Sequence, residues 1–185
     1  MRRVVTIASF FLLAVTLAGC AGGPAADKPQ AVNVTSLPAG ASAAAQGDSP
    51  LSRAVLKDVN AFRASKGAGA LMADATLQRA AAVHAADMSG RGFFGHHNPE
   101  GQGPRERVLA VNPGFKGRVA ENIQMVEGPT YAAMSDETLA QTLTDKWAQS
   151  PTHRKNMQMP DMTHSGIGIA RSGDRIIAVQ VFSGP

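Results

Sequence analysis

Histidine is the residue type of this sequence with the widest chemical range. The chain has five of them, His84, His96, His97, His153 and His164. Imidazoles together with a carboxylate bind Zn²⁺ or a similar ion, and a histidine that titrates at about pH 6.5 can act as an acid or a base. Most of the five lie in predicted loops, where a side chain is more often functional than in the core. His84 is the exception, because it falls on the apolar stripe of a predicted helix, and we interpret it as a hydrogen-bonded core residue.

The histidines are not accompanied by the motif of a familiar hydrolase. The sequence has no His-Glu-x-x-His motif, which would place two zinc ligands on one helix face, and this argues against a zincin protease. It also has no Gly-x-Ser-x-Gly motif, which would present a nucleophilic serine. The sequence therefore shows no evident nucleophile, and the question of enzymatic activity stays open with a leaning against catalysis.

Cys20 is the single cysteine of the chain, and it follows an export segment. Arg2 and Arg3 precede an apolar run over residues 4–17, which is shorter than the about 20 residues that span a bilayer. Leu-Ala-Gly-Cys at residues 17–20 resembles the bacterial lipobox, in which the cysteine thiol carries lipid. We predict a signal peptide over residues 1–19 and lipid on Cys20, which would anchor the protein outside the cytoplasm of a bacterial cell. Ala21 after the cysteine favours the outer membrane in a cell with two membranes.

Composition divides the remaining chain into a tether and one domain. Residues 20–48 are rich in Ala, Gly, Pro, Ser and Gln and contain no aromatic residue, so this segment cannot bury enough surface to offset its ordering entropy. The domain is predicted over residues 49–185, which is the size of one ordinary domain. The formal net charge is +4 without a concentrated basic block, and this excludes a nucleic-acid binder.

Helix signals come first along the chain and strand signals come later. The predicted helices run from Ser49 to Gly67, from Asp74 to Gly90 and from Ser135 to a stop at Ser150-Pro151. The predicted strands cover residues 119–126, 167–170 and 175–182, and the last two flank a turn. Caps and apolar residues spaced by three or four mark the helices. This order predicts an α+β domain with helices packed on an antiparallel sheet.

Four short segments around the histidines form a recognisable pattern. They are Gly-His-His-Asn-Pro at 95–99, Ala-Glu-Asn-Ile at 120–123, Ser-Pro-Thr-His-Arg at 150–154 and His-Ser-Gly-Ile-Gly at 164–168. In this order they resemble the CAP superfamily, also called SCP-like, of cysteine-rich secretory, antigen 5 and pathogenesis-related proteins. The resemblance covers residues 51–183. It implies an α-β-α sandwich with a central antiparallel sheet and a large cleft, which a His-Glu-Glu-His tetrad lines in eukaryotic members.

The resemblance also implies which residues line the cleft. His96 takes the place of the first histidine, Glu121 of the first glutamate and His164 of the final histidine. His97 is then expected to point away. The second glutamate would fall on Ser150, so the tetrad is incomplete in this chain.

Bacterial relatives carry a Ser-Pro-x-His-Arg segment at that point, which adds His153 to the expected cleft. The supporting residues beside it are expected to be Asn122, Ser150, Arg154 and Asn156. We expect them to satisfy backbone groups and fix the loops, with Arg154 paired to a carboxylate.

Three functions remain open for this cleft. A binding module would take a lipid, a sterol-like molecule or an envelope glycan, and the missing glutamate and nucleophile favour it. A metal-dependent hydrolase would hold Zn²⁺ or another divalent metal with His96, His153, His164 and Glu121, of which Glu121, His96 and His164 are the catalytic candidates. The third is a structural or partner-docking domain at the cell wall. The sequence commits to no cofactor, and a hydrogen-bonded network that rigidifies the cleft would need none.

Overall fold

The computed structural model describes residues 48–185. The predicted signal peptide, Cys20 and the tether up to residue 47 lie outside the described residues, so the lipid anchor and the domain boundary stay predictions. Within the described range the helices are α1 (Pro50–Ser65), α2 (Ala75–Arg91), α3 (Pro104–Val111), α4 (Pro129–Ala132), α5 (Asp136–Gln149) and α6 (Pro151–Gln158). The strands are β1 (Met72–Ala73), β2 (Arg118–Glu127), β3 (His164–Ser172) and β4 (Arg175–Gly184).

The four strands form one sheet in the order β1-β3-β4-β2. Strands β3 and β4 form the predicted antiparallel hairpin, and β2 pairs antiparallel with the other side of β4. The short β1 joins β3 in parallel. Strand β2 is therefore an edge strand, and Glu121 on β2 lies level with Val181 on β4 and Gly166 on β3.

Helices cover both faces of the sheet. Helices α1, α5 and α6 share one apolar cluster with Ile176 and Ala178 of β4. Helices α2 and α3 share a second cluster with Ile177 and Val179 of the same strand. The alternation follows from the pleat of a strand, which points successive side chains to opposite faces. The predicted α-β-α sandwich is confirmed.

The main helices begin and end at residues that satisfy backbone groups. The side chains of Ser49 and Ser52 form a capping box at the start of α1, and the carboxylate of Asp74 accepts from the backbone of Leu77 at the start of α2. Helix α2 ends at Gly92 rather than at the predicted Gly90, because Gly92 supplies the left-handed backbone (φ 70°) that this cap requires.

Besides α1, three short helices begin at a proline, and these three were not predicted from the sequence. They are α3, α4 and α6, with Pro104, Pro129 and Pro151 at the first helical position. Proline is favoured there because the N–H group that it lacks would have no hydrogen-bond partner in the first turn of a helix. The Ser150-Pro151 pair therefore ends α5 and also begins α6, which carries His153.

Two glycines of β3 set the distance between α2 and the sheet. A Cβ atom on Gly166 would lie 2.0 Å from the backbone nitrogen of Gln78, and one on Gly168 would lie 2.2 Å from the carbonyl carbon of Ala81. Backbone therefore packs against backbone at this point, and no larger residue fits without moving α2. This close contact also fixes the position of His84, which lies further along α2.

Candidate functional site

A buried ion pair forms the base of the candidate site. Glu121 on β2 and Arg107 on α3 lie with Oε2 and Nη2 2.6 Å apart, and their side chains are only 1% and 2% exposed. Two charges held out of water are stable only when they are paired and hydrogen bonded. The pair therefore joins α3 to the edge strand β2, because neither buried charge would be stable without the other.

Arg107 also holds the loop between α2 and α3. Its Nη1 donates to the carbonyl oxygen of His96 at 3.1 Å and to that of Gln102 at 3.0 Å. Its Nε atom is buried and has no hydrogen-bond partner within residues 48–185. The guanidinium thus connects one carboxylate to two turns of the loop that carries His96.

His96 reaches the ion pair from the outside. Its Nδ1 lies 2.9 Å from Oε1 of Glu121, and its side chain is 46% exposed. A carboxylate oxygen can only accept, so Nδ1 of the imidazole donates, and in the neutral ring the lone pair is on Nε2. Both carboxylate oxygens of Glu121 are occupied, whereas Nε2 of His96 remains available to a ligand.

The loop over residues 92–103 is held at several further points. Arg91 and Glu100 form a bidentate ion pair with N–O distances of 2.8 and 2.9 Å. The amide of Asn98 donates to the side chain of Gln102 at 2.7 Å. The loop is thus ordered by its own contacts before any ligand binds, which lowers the entropic cost of binding.

His84 lies beneath this loop and is fully buried. Its Nε2 is 2.8 Å from the carbonyl oxygen of Gly95, and its Nδ1 has no partner within the described residues. Burial and, to a smaller extent, the positive charge of Arg107 lower the pKa of His84 to about 4, while the negative charge of Glu121 opposes both effects. The core position expected for His84 is confirmed, and its hydrogen bond is made to the loop that carries His96.

His153 approaches the same edge of the sheet from α6. Asn122 donates its amide to the carbonyl oxygen of His153 at 3.1 Å. Asn156 donates to the side chain of Asn122 at 2.9 Å and to the carbonyl oxygen of Glu121 at 3.0 Å. Burial lowers the pKa of the His153 imidazole, and the charge of His96 lowers it further. The two asparagines thus fix His153 on the opposite side of β2 from Arg107, within electrostatic reach of His96.

The remaining predicted residues lie further from the ion pair. Ser150 is the N-cap residue of α6. Arg154 donates to the carbonyl oxygen of Ala148 at 3.1 Å, so the expected pairing with a carboxylate is wrong. The arginine instead satisfies a carbonyl near the end of α5, where a positive charge is favourable. His97 is exposed, and its ring lies against Gly103.

His164 occupies the first position of β3, next to β1. It is paired with Met72 and Ser183 in the sheet, and its Nδ1 is bonded to the Thr163 hydroxyl at 2.9 Å. In the strand order β3 is separated from β2 by β4. The structure therefore joins His96 and Glu121 directly, places His153 beside them and leaves His164 on another strand.

The site as described does not contain a complete metal-ligand set. Within residues 48–185 there is no group of three or more His, Cys, Asp or Glu side chains that could hold a metal ion. A catalytic zinc ion ordinarily has three protein ligands. The residues present therefore do not fit a zinc centre in the described geometry.

The two residues in direct contact, His96 and Glu121, belong to motifs that also mark a family. A model of the cysteine-rich secretory protein family, CAP, matches residues 56–182. The chain belongs to the CAP family. The three-layer fold agrees with this membership, and the resemblance inferred from the four short segments is confirmed.

Individual relatives of the CAP family are distant. YkwD, an uncharacterized protein of Bacillus subtilis, is 29% identical over 119 residues, which are 64% of this chain and 42% of YkwD. An outer surface protein of Borrelia burgdorferi superposes with a TM-score of 0.60 at 16% identity, over 71% of this chain and 90% of that one. An extracellular SCP-domain protein of Bacillus anthracis gives 0.56 at 21% identity, over 73% and 40%.

These relatives show a fold that occurs in bacterial surface and extracellular proteins. The chain spans less than half the length of YkwD. Among the described residues, the helices are too short or too polar for any of them to cross a membrane.

Arg107 is a residue of the candidate site that was not predicted from the sequence. It lies in an eight-residue helix whose first half, Pro-Arg-Glu-Arg, resembles a solvated surface segment. The available signal was Glu121, because a glutamate in a mostly apolar strand requires a cation or a proton if it is buried. Which of the chain's arginines supplies that cation depends on the tertiary fold of this CAP domain.

Proposed function

We propose that this CAP domain is an extracytoplasmic binding module that recognises an envelope ligand through the imidazole of His96. One observation carries the proposal. The Arg107–Glu121 pair is buried and holds Nδ1 of His96, which directs Nε2 towards a ligand. A rigid acceptor on an ordered loop is what selective binding of a hydroxyl or amide group requires.

The loop that presents His96 also suggests the class of ligand. Phe94, two residues earlier, is 46% exposed although it is large and apolar. An exposed aromatic ring near a hydrogen-bond acceptor suits a molecule that combines an apolar face with hydroxyl groups. Envelope glycans and lipid head groups both have this character. The lipid predicted on Cys20 would hold the domain close to either of them.

Binding is favoured over hydrolysis because Glu121 is not free to act on water. A general base must reach the proton that it removes, directly or through one water. The Glu121 side chain is 1% exposed, and its two oxygens are bonded to His96 and Arg107. The carboxylate therefore orients the imidazole and is not placed to activate a nucleophile.

A metal-dependent hydrolase is the second candidate, and one observation favours it. Metal-binding histidines usually donate their other ring N–H to a carboxylate, as His96 does to Glu121. His96 and His153 would be the nitrogen donors for Zn²⁺, although the described residues supply no third ligand. This candidate requires tight, stoichiometric metal, which the binding module does not.

The decisive experiment compares the full chain with two single variants whose substitutions lie at neighbouring positions. Binding to purified cell-wall glycan and to lipid vesicles is measured for wild type, His96→Ala and His97→Ala. His97 is the matched control because it is exposed and adjacent but lies against Gly103. We expect the His96 variant to lose at least about tenfold in affinity for one of the two materials, as the loss of a ligand hydrogen bond predicts. Equal binding by all three proteins would reject the proposal.

Zinc affinity of the same proteins distinguishes the second candidate. Titration is carried out at about pH 7.5 and again at about pH 5.5, where protonated imidazoles release metal. Submicromolar zinc binding that is lost in His96→Ala and weakened at the lower pH would support the hydrolase. Zinc binding that is weak or the same in all variants would remove it.

The lipid anchor is tested separately from the ligand site. Cys20→Ser in the full chain should move the protein from the membrane fraction to the soluble fraction of the cell envelope. An unchanged membrane fraction would show that Cys20 does not carry the anchor.

A further inference from the structure

We propose that His84 is a positioning residue that sets the orientation of His96 by holding the carbonyl oxygen of Gly95. This inference rests on the proposed function, because it assigns a role within the same binding site. It goes beyond the initial interpretation of His84 as a hydrogen-bonded core residue.

The hydrogen bond of His84 has a defined direction. The Gly95 carbonyl can only accept, so the Nε2 atom of His84, 2.8 Å away, is the donor. The neutral imidazole therefore has its proton on Nε2 and a lone pair on Nδ1. That Nδ1 atom is buried and has no partner within residues 48–185.

An unpaired nitrogen in the core is costly, and the surroundings of His84 do not require a polar residue. The buried side chains of α2 around it are apolar, and they include Ala80, Ala81, Ala85 and Met88. A leucine at position 84 would remove the unpaired atom and with it the cost of burying a polar atom without a partner. What a leucine could not do is donate to Gly95.

Two consecutive carbonyl groups of the loop are held by buried side chains. His84 on α2 donates to Gly95, and Arg107 on α3 donates to the next carbonyl, that of His96, at 3.1 Å. Two such bonds flank the His96 backbone and restrict its rotation. The imidazole then meets Glu121 at 2.9 Å. The ring of His84 also lies 6.0 Å from that of Phe93, which adds a contact to the same loop.

These contacts form a connected hydrogen-bond network in which each side chain fixes the position of another. Arg107 holds Glu121 and the loop, Glu121 holds His96, and His84 holds the loop from the helix that the glycines of β3 keep close to the sheet. His84 does not contact the exposed face of His96. Its effect on a ligand must therefore pass through the orientation of the His96 ring.

The test uses three substitutions at one position and a control on the same helix. His84→Gln retains an amide donor near the place of Nε2, His84→Asn is one methylene shorter, and His84→Leu has no donor. Met88→Leu is the control, because Met88 is also fully buried on α2 and apolar. The nitrogen NMR shifts of the His96 ring, recorded on the full chain in detergent micelles, report which ring atom carries the proton.

We expect wild type, His84→Gln and Met88→Leu to show His96 with its proton on Nδ1. His84→Asn and His84→Leu should show a mixture of the two tautomers and about tenfold weaker binding to the material identified with His96→Ala. Wild-type tautomers in both His84→Asn and His84→Leu would overturn the inference. So would a His84→Gln protein that is folded yet resembles His84→Leu.

The pair of amide variants keeps the test decisive if the leucine variant does not fold, because the two differ only in reach. The NMR readout also separates this inference from the proposed function. If His96→Ala binds as wild type does, the proposed function fails, whereas the tautomer of His96 in the His84 variants still decides the role of His84.

Discussion

Arg63 and Arg107 are both buried, and they lie on opposite sides of the sheet. Arg63 on α1 donates to four carbonyl oxygens, those of Gly69, Met157, Met159 and Met162. Arg107 on α3 donates to two carbonyl oxygens and to the carboxylate of Glu121. Burial lowers the pKa of Arg63, because removal from water disfavours the charged guanidinium. Its partners are carbonyl oxygens, which carry no full negative charge to oppose this effect.

The difference separates a charge that only holds main chain from a charge that is connected to the candidate site. The hydrogen bonds of Arg63 end on the main chain, so they only fix the segment over residues 157–162 that leads into β3. The bonds of Arg107 continue through Glu121 to the exposed ring of His96. A buried cation therefore indicates a candidate site when its hydrogen-bonded partners connect it to an exposed side chain. Burial of the cation alone does not indicate a site.

Arg63→Met should give the largest loss of stability. Four buried carbonyls lose their donor, and we expect the free energy of unfolding to fall by about 5 kcal/mol. Urea denaturation measures this, with Arg53→Met as the control because the Arg53 side chain is 61% exposed. A loss no larger than that of the control would contradict the structural role of Arg63.

Arg107→Met should destabilise the domain somewhat less but change the site more. Removal of one member of a buried ion pair costs about 4 kcal/mol, because the other charge is left unpaired. The double variant Arg107→Met with Glu121→Gln should recover part of that loss. Arg105→Met on the same helix is the control, since Arg105 is bonded at the exposed surface. Simple additivity of the two substitutions would show that the residues are not coupled.

Acid should weaken the Arg107 side of the sheet through His84. Its pKa is about 4 in the folded protein against about 6.5 in the unfolded chain. Between these values the unfolded state binds a proton and the folded state does not, so stability falls as the pH falls through this range. The loss reaches about 3 kcal/mol and is complete below the folded pKa.

The measurement is the difference in unfolding free energy between wild type and His84→Gln across that pH range. Glutamine does not titrate, so the difference isolates His84 from the carboxylates. His153→Gln is a second comparison, because burial lowers the pKa of His153 in the same direction. Parallel curves for wild type and His84→Gln would refute the assignment.

His96→Ala should have the smallest effect on stability. The imidazole is 46% exposed, and we expect a change of less than about 0.5 kcal/mol, as for other surface substitutions. Ligand affinity should nevertheless fall, as in the binding experiment above. A large loss of stability in this variant would show that His96 belongs to the structural class of Arg63.

Much of the fold was predictable from the sequence because it depends on local signals. Helix α1 was predicted between Ser49 and Gly67 and is found at Pro50–Ser65, and the antiparallel hairpin was predicted at β3 and β4. The short helices that begin at proline were missed, because one turn or two has too few apolar positions to show a period. One of them carries Arg107 and another carries His153.

The site was less predictable, because it forms where distant segments meet. The family resemblance places His96 and Glu121 in one cleft, and the structure joins them by a hydrogen bond although 25 residues separate them. The same reasoning expects His164 in the cleft, and the structure places it at the first position of β3, bonded to the Thr163 hydroxyl. The order of motifs in the sequence identifies the segments that a family shares. The order of strands in the sheet determines which of their side chains lie at the same edge.

The outer edge of β2 has a further consequence if Cys20 carries the predicted lipid. Lipid anchors concentrate molecules in two dimensions, where an open strand edge invites pairing between copies and aggregation. Asn156 already occupies the carbonyl oxygen of Glu121 at this edge, and the opposite edge strand, β1, is only two residues long. With the predicted anchor in place, helix α6 would therefore also shield this edge from pairing between copies of the domain.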